Sequence, residues 1–324
     1  MSRTGIDLTG RVAIVTGAGA GLGRAHAMLL AARGAQVVVN DLDSGVTQAV
    51  ADEIISRGGN AMAIPGSVSD FDAVRGMVEQ TISRWSRVDI LINNAGILRD
   101  KTFAKMDLAD FRLVLEVHLM GSVYCTKAVW GHMREQKYGR VVMTTSSSGL
   151  YGSFGQSNYS AAKMALVGLM QTLALEGVRY NIRVNCVAPS AATRMVEGIL
   201  PKPELSLLRP DLVSPAVLVL VSEDAPTKTI LCAGAGSFET AHITLTPGVH
   251  LAEGPQVAEQ VMSAWSDITD RKGDFVPDSG ERQGREELRK AGYIRRAEPN
   301  MEEKIRSTGV AHDNQRLLDP KARS

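Results

Sequence analysis

Cysteine is scarce: Cys125, Cys186 and Cys232 are the only three in 324 residues. The number is odd, the spacing is wide and no Cys-x-x-Cys pair occurs, so neither a disulfide framework nor a thiolate metal site is expected. The thiols read as small buried apolar residues of a reducing compartment. Charge of one sign is lacking too. Lys and Arg number 36 against 35 Asp and Glu, a formal +1, which offers no field for nucleic acid or an anionic membrane. Long hydrophobic runs are also missing. AVLVLV at 216–221 is as long as they come, far short of the ~20 residues that span a bilayer. The opening residues MSRTGIDLTG have no apolar core of signal-peptide length, and the closing KARS is not an SKL-type peroxisomal address. The expectation is a cytoplasmic protein with no metal, no nucleic acid and no membrane as partner.

What is present is a large apolar fraction, 44%, and 31 glycines. Short apolar runs alternate with amphipathic stretches. VAIVTG (12–17), QVVVND (36–41), AMAIP (61–65), VDILINNAG (88–96), RVVMTTSSS (140–148), IRVNCVAP (182–189) and AHITLTPG (241–248) read as strands. Helical stretches lie between them, including a long one near 108–135 and another from about Asn158. Strands alternating with helices imply βαβ units, and continuous runs such as VVV and ILI imply strands covered on both faces. The pattern predicts an α/β protein: a doubly wound Rossmann fold with a seven-stranded parallel sheet over residues 1–250. A C-terminal extension is expected over 251–324, with a short helix in PQVAEQVMSAWSDI and a charged, solvated tail from 280. Ligands of such sheets bind outside the carboxyl ends of the strands.

The first turn reads TGAGAGLG, residues 16–23. Glycine permits the tight turn, lets backbone approach a pyrophosphate and lets helix pack on strand, with the phosphates at the helix N-terminus. A glycine-rich turn alone is weak, but this one follows a strand and opens a helix. It nominates Gly17, Gly19, Ala20, Gly21, Leu22 and Gly23 for a dinucleotide. Asp41 ends the second strand, 18 residues after Gly23. A carboxylate there can hydrogen-bond both adenosine ribose hydroxyls and repel a 2′-phosphate, and NDLDSG has no Arg or Lys to welcome one, so NAD is expected over NADP. The plainer reading of Asp41 is a helix-capping aspartate. Ser67 and Val68 are placed to meet the adenine. NNAG (93–96) nominates Asn94, Ala95 and Gly96 as small residues against the cofactor, although it could be an ordinary strand-to-loop turn.

QSNYSAAKM (156–164) puts Tyr159 four residues before Lys163, on one helical face. The pair could be a surface Tyr packed on a Lys stem, or a phenol whose acidity a cation tunes. TGAGAGLG, NNAG, Tyr159-x-x-x-Lys163 and a serine 13 residues before the Tyr, in this order, resemble the short-chain dehydrogenase/reductase family over about residues 8–250. The resemblance implies Tyr159 as general acid/base, with Lys163 lowering its pKa and holding the nicotinamide ribose. It implies Ser146 as hydrogen-bond donor to the substrate oxygen, and Pro189 beside the cofactor. Where the family usually has V-N-L-x-G, this chain reads V-H-L-M-G, so His118 stands at a position that in the family supports a water chain behind the Lys; a lone helical His equally reads as a structural hydrogen-bonder.

VVVNDL, NNAGILRD, VHLMGS, KYGRVVMT and YGSFGQSNYSAAK are similar to a subgroup, the (3R)-hydroxyacyl-CoA dehydrogenase units of multifunctional enzymes. That similarity implies oxidation of a (3R)-hydroxyacyl-CoA or a 17β-hydroxysteroid with NAD. A loop near 190–212 would cover the substrate, and Leu98, Tyr151, Phe154 and Met195 would be its apolar wall, although each reads equally as ordinary core packing. Arg99, Lys101 and Arg209 could meet CoA phosphates, though exposed basic residues are usually nonspecific. A homo-oligomer, dimer or tetramer, is implied. The competing readings are an NAD(H)-binding sensor or scaffold without turnover, and an NADPH-dependent reductase.

Overall fold

The computed structural model describes residues 5–192 and 202–293. They form two compact units, divided between Ala241 and His242.

The first unit is built on one sheet. Its strands are β1 (Val12–Thr16), β2 (Gln36–Asn40), β3 (Asn60–Ala63), β4 (Ile90–Asn93), β5 (Gly139–Thr144), β6 (Ile182–Ser190), β7 (Ile230–Gly234) and β8 (Ser237–Ala241). Their order is β3-β2-β1-β4-β5-β6-β7-β8. The pairs from β3 to β7 are parallel and β8 runs antiparallel to β7. Helices α1 (Gly21–Ala32), α2 (Ser44–Ser56), α3 (Phe71–Trp85), α4 (Leu108–Leu115), α5 (Gly121–Gln136), α6 (Ser147–Tyr151), α7 (Ser157–Gly177), α8 (Lys202–Leu207) and α9 (Ser214–Leu220) connect them.

The continuous apolar runs are explained by the two-residue side-chain period of a strand. In β1, Ala13 and Val15 enter one core and Ile14 the other; in β2, Val37 and Val39 divide from Val38; in β4, Ile90 and Ile92 divide from Leu91. The first core is closed by α1, α2 and α9 through residues such as Leu30, Ile54 and Leu220. The second is closed by α3, α5 and α7 through Met77, Val129 and Leu166. Cys125 and Cys186 are buried in this second core, where desolvation pushes each thiol up to about 12, and Cys232 is half-buried. Helix α7 and the turn after it are long and apolar enough to cross a membrane by length and composition. Here Ala162, Leu166, Val167 and Met170 of α7 are buried in the fold.

The sheet has eight strands rather than seven, and the last of them is antiparallel. ILCAG at 230–234 is the seventh strand, and Ala235 and Gly236, with φ of 50° and 81°, turn the chain back into β8. Two successive positive φ values are the geometry of a tight hairpin whose twist matches its strands. Of the segment 241–248, expected as the last strand, Ala241 ends β8 and residues 242–248 are not a sheet strand. Its Leu245 instead pairs with Phe275 within the second unit, each N–H donating to the other's carbonyl.

The second unit holds α10 (Val257–Ser263), α11 (Trp265–Thr269) and α12 (Glu281–Lys290). The expected helix at 255–268 is thus split at Ala264. Part of the expected polar tail is helix: Glu286 of α12 pairs with Arg282 at 2.8 Å and Arg289 at 2.9 Å. The first compact unit ends at Ala241.

Candidate active site

The chain runs outward from β1 to β3 and then returns to β4 on the other side of β1. The crevice at this reversal lies outside the carboxyl ends of β1 and β4, where open α/β sheets bind ligands. A cavity of about 660 Å³ occupies it.

One end of the cavity is a glycine turn locked from behind. Thr16 Oγ1 accepts the N–H of Asn94 at 3.0 Å and of Ala95 at 3.1 Å, and donates to Ile92 O at 3.3 Å. Asn94 Nδ2 donates to the carbonyls of Thr16 and Gly17 at 3.0 and 3.1 Å. Gly17 has φ of 61°, and a Cβ on it would lie 2.8 Å from Ala95 Cα. A Cβ on Gly23 would strike the carbonyl oxygen of Gly17. Helix α1 therefore begins close against the strand end, and no side chain caps its first turn. Its free N–H groups suit an anion.

Asp41 stands across this turn. Its Oδ2 accepts the Gly19 N–H at 2.9 Å and its Oδ1 the Leu42 N–H at 2.8 Å. The residue that caps α2 is Asp43, whose Oδ1 accepts from Gly45 and Val46. The capping reading of Asp41 is thereby answered, because its carboxylate faces the glycine turn. Ala20, Gly21, Leu22, Ser67, Val68, Gly96 and Pro189 all line the same cavity.

At the other end are Ser146, Tyr159 and Lys163. Ser146 caps the short helix α6, its Oγ accepting the Ser148 N–H at 3.2 Å, and its hydroxyl acts on the Tyr159 phenol, favouring its ionised form. Asn158, fully buried, fixes the start of α7: its Oδ1 accepts the Tyr159 N–H at 2.8 Å and its Nδ2 donates to Arg99 O at 2.9 Å. Lys163 is 3% exposed, and its Nζ donates to Thr144 O at 2.6 Å. The Thr145 hydroxyl donates to Lys163 O at 2.7 Å.

The electrostatics differ from the expectation in one respect. The Tyr159 pKa is raised rather than lowered: burial is the largest cause, the Ser146 hydrogen bond opposes it, and Asp100 adds to it. The Lys163 ammonium lies 5.5 Å from the centre of the Tyr159 ring and spends its hydrogen bond on Thr144. Burial lowers Lys163 itself to about 7, with Cys186 opposing.

His118 sits in a single π-turn, Glu116–Met120, that interrupts the expected long helix between α4 and α5. Its Nε2 lies 3.0 Å from Ile97 N and 2.8 Å from Ile97 O. Its pKa falls to about 3, through burial first and then the charge of Lys163, with the Ile97 contact opposing.

The apolar wall is only partly assembled. Leu98 lines the cavity. Tyr151 and Phe154 do not; they are 74% and 94% exposed. Met195 and much of the loop 190–212 lie outside the described residues. Arg99 and Lys101 reach Asp110 at 3.7 and 3.0 Å, and Arg209 pairs with Asp211, so each of these cations has a carboxylate partner. Thr16, Thr144 and Asn158 went unread in the sequence. The signals were a Thr before the glycine turn and an Asn in the residue before the Tyr.

These elements define a dinucleotide-binding α/β oxidoreductase. Residues 11–203 match the family model for short chain dehydrogenase, and the chain belongs to the short-chain dehydrogenase/reductase family. It is 46% identical over 274 residues to peroxisomal multifunctional enzyme type 2 of Drosophila melanogaster, covering 81% of this chain and 45% of that one. The solved structure of that enzyme superposes with a TM-score of 0.74 at 40% identity, covering 86% of this chain and 49% of that one. The chain thus spans about half the length of that relative. A short-chain type dehydrogenase/reductase of Mycobacterium tuberculosis is 44% identical over 273 residues, 81% of this chain and 95% of that one. A 7α-hydroxysteroid dehydrogenase solved with NADH and a 7-oxo bile acid superposes with a TM-score of 0.67 at 30% identity, over 71% of this chain and 95% of that one. The protein is an oxidoreductase, and its glycine turn, uncapped helix start and Asp41 fit a nicotinamide dinucleotide.

Proposed function

We propose that this protein oxidises a secondary alcohol with NAD, and that the alcohol is a (3R)-hydroxyacyl-CoA thioester or a 17β-hydroxysteroid. The observation that carries the reading is the joining of Ser146, Tyr159 and Lys163 in one cavity with Asp41. The nicotinamide, when bound, supplies the hydride acceptor. Ser146 hydrogen-bonds the substrate oxygen and orients the alcohol toward Tyr159. Tyr159 takes the hydroxyl proton as the C–H electron pair leaves the carbinol carbon, and a C=O bond forms. Lys163, held by Thr144 with its ammonium 5.5 Å from the centre of the Tyr159 ring, favours the phenolate that accepts this proton. Asp41 accepts ribose hydroxyls and repels a 2′-phosphate, which favours NAD. The choice of alcohol rests on the subgroup resemblance in VHLMGS and YGSFGQSNYSAAK.

The test follows absorbance of reduced nicotinamide with NAD or NADP and three alcohols: (3R)-hydroxyacyl-CoA, its 3S isomer and a 17β-hydroxysteroid. Turnover of the 3R thioester or the steroid with NAD supports the reading. Turnover only with NADP, or only with the 3S isomer, refutes it.

A further inference from the structure

His118 is buried in the site, yet the proposed chemistry gives it no step. The π-turn that carries it accommodates one extra residue in the helix, and such turns reorient a side chain. Here the turn leaves His118 1% exposed, between the NNAG loop and Tyr159. Its ring stands edge-on to the Tyr159 ring, with centres 5.2 Å apart and planes at 87°. Its Nε2 faces both polar groups of Ile97. With the proton on Nδ1, Nε2 accepts the Ile97 N–H; with the proton on Nε2, it donates to the Ile97 carbonyl. Either tautomer holds the same residue.

Gly96 completes the arrangement. A Cβ there would lie 2.8 Å from His118 Nδ1 and would collide with the ring carbon Cε1. The imidazole fills the space that the missing side chain leaves. Gly96 and His118 are a matched pair, and the pair joins the cofactor-facing loop to the phenol.

We propose that His118 is a positioning residue: its ring, seated on Gly96 and tied to Ile97, sets where the Tyr159 phenol stands relative to the NNAG loop, and it carries no proton. The proposal rests on the reading of Tyr159 as the general base. It gives His118 a role other than the relay that the sequence resemblance implied. The groups facing the imidazole are Tyr159, Lys163 and the Ile97 backbone. Burial and the Lys163 charge keep the ring neutral well below neutral pH. Nδ1 is buried with no partner among the described residues, so the ring is held by shape and by Ile97.

Two variants separate shape from nitrogen. His118→Phe keeps a ring beside Tyr159 and removes both nitrogens. His118→Gln keeps a polar group for Ile97 and removes the ring. We expect His118→Phe to keep kcat within about tenfold of wild type with the pH inflection of kcat unmoved. We expect His118→Gln to lose more than about tenfold in kcat with little change in KM for NAD. Gly96→Ala should impair kcat by displacing the ring. Adding the shorter side chain of His118→Asn should recover part of the loss, so the double variant falls less than the product of the single effects. A loss of about 100-fold in His118→Phe together with a shifted pH inflection would show that a nitrogen moves protons and overturn the proposal. A double variant as impaired as the product of its singles would overturn the matched pair.

One readout needs no turnover. Ultraviolet difference titration against Tyr159→Phe isolates the Tyr159 phenol. It should titrate lower in His118→Gln, where water reaches it, and unchanged in His118→Phe. An unmoved phenol in His118→Gln refutes the positioning role. If wild type oxidises none of the alcohols, the catalytic reading fails separately and this titration still decides the role of the ring.

Discussion

At the scale of single residues, Tyr159 and Asp41 carry most of the chemistry that can be tested. Removing the phenol should leave NADH binding intact and cut turnover by about 10²–10⁴-fold, the usual share of a general base. Tyr159→Phe, assayed by single-turnover absorbance and by NADH fluorescence, checks both halves. Burial holds the phenol above its ordinary pKa, so the phenolate that the proposed oxidation uses is scarce at neutral pH and grows as pH rises. The oxidation rate should therefore climb from neutral into alkaline pH, whereas ketone reduction, which uses the protonated phenol, should not. Rate profiles in the two directions would show this. At the adenosine end, Asp41→Asn removes the negative charge but keeps an oxygen to accept the Gly19 N–H. On the proposed reading the ratio of kcat/KM for NAD over NADP should fall by about tenfold or more, since the variant no longer repels a 2′-phosphate by like charge.

At the scale of elements, the sheet separates a chemical end from a structural end. β5 carries both. Its carboxyl end leads through Thr144, which holds Lys163, to Ser146. Near its other end Arg140 is fully buried and donates to four carbonyls: Ser222 at 2.9 Å, Gly139 at 2.8 Å, Asn181 at 2.9 Å and Glu223 at 2.8 Å. Its guanidinium also lies 4.1 Å from the centre of the Tyr138 ring, which Arg11 covers at 3.6 Å. Arg140→Met would leave those carbonyls without their donor. It should cost about 3 kcal/mol or more of stability, read from denaturant midpoints. Activity per folded molecule should hold, because four strand steps, roughly 13 Å, separate Arg140 from Thr144 at the site.

At the scale of the whole molecule, two buried imidazoles tie folding to pH. His26, in α1, has its Nδ1 2.8 Å from Ser214 Oγ, and burial lowers its pKa to about 3; His118 is lowered to about 3 as well. Both have an ordinary value of 6.5. Between about 6.5 and 3 the unfolded chain binds protons that the folded chain refuses, so stability falls as pH drops through that window. Each group adds a slope of up to ~1.4 kcal/mol per pH unit, so the two together approach ~3 kcal/mol per unit. Urea unfolding at pH 7, 6 and 5 should show the decline, and His26→Gln should make it shallower. A pH-independent midpoint would contradict the burial of both rings.

Much of this was legible in the chain alone. The period-two division of VAIV, VVV and ILI, the glycine turn, Asp41 and the Tyr159–Lys163 spacing are local patterns, set by backbone sterics and by the fixed offsets of strands and helices. They determined the doubly wound class, the position of the cofactor turn and the shared face of phenol and ammonium. What they could not determine depends on groups distant in sequence. That β8 pairs with β7 while 242–248 leaves the sheet depends on which edge and which partner are available. Lys163 donates to Thr144 rather than to Tyr159, and Tyr159 is raised rather than lowered, because burial comes from residues brought in by other elements. The fit of Gly96 to His118 across 22 positions exists only once the loop after β4 and the π-turn lie side by side. Local geometry travels with the sequence, but desolvation and steric complementarity belong to the packed interior, so tertiary structure alone decided them.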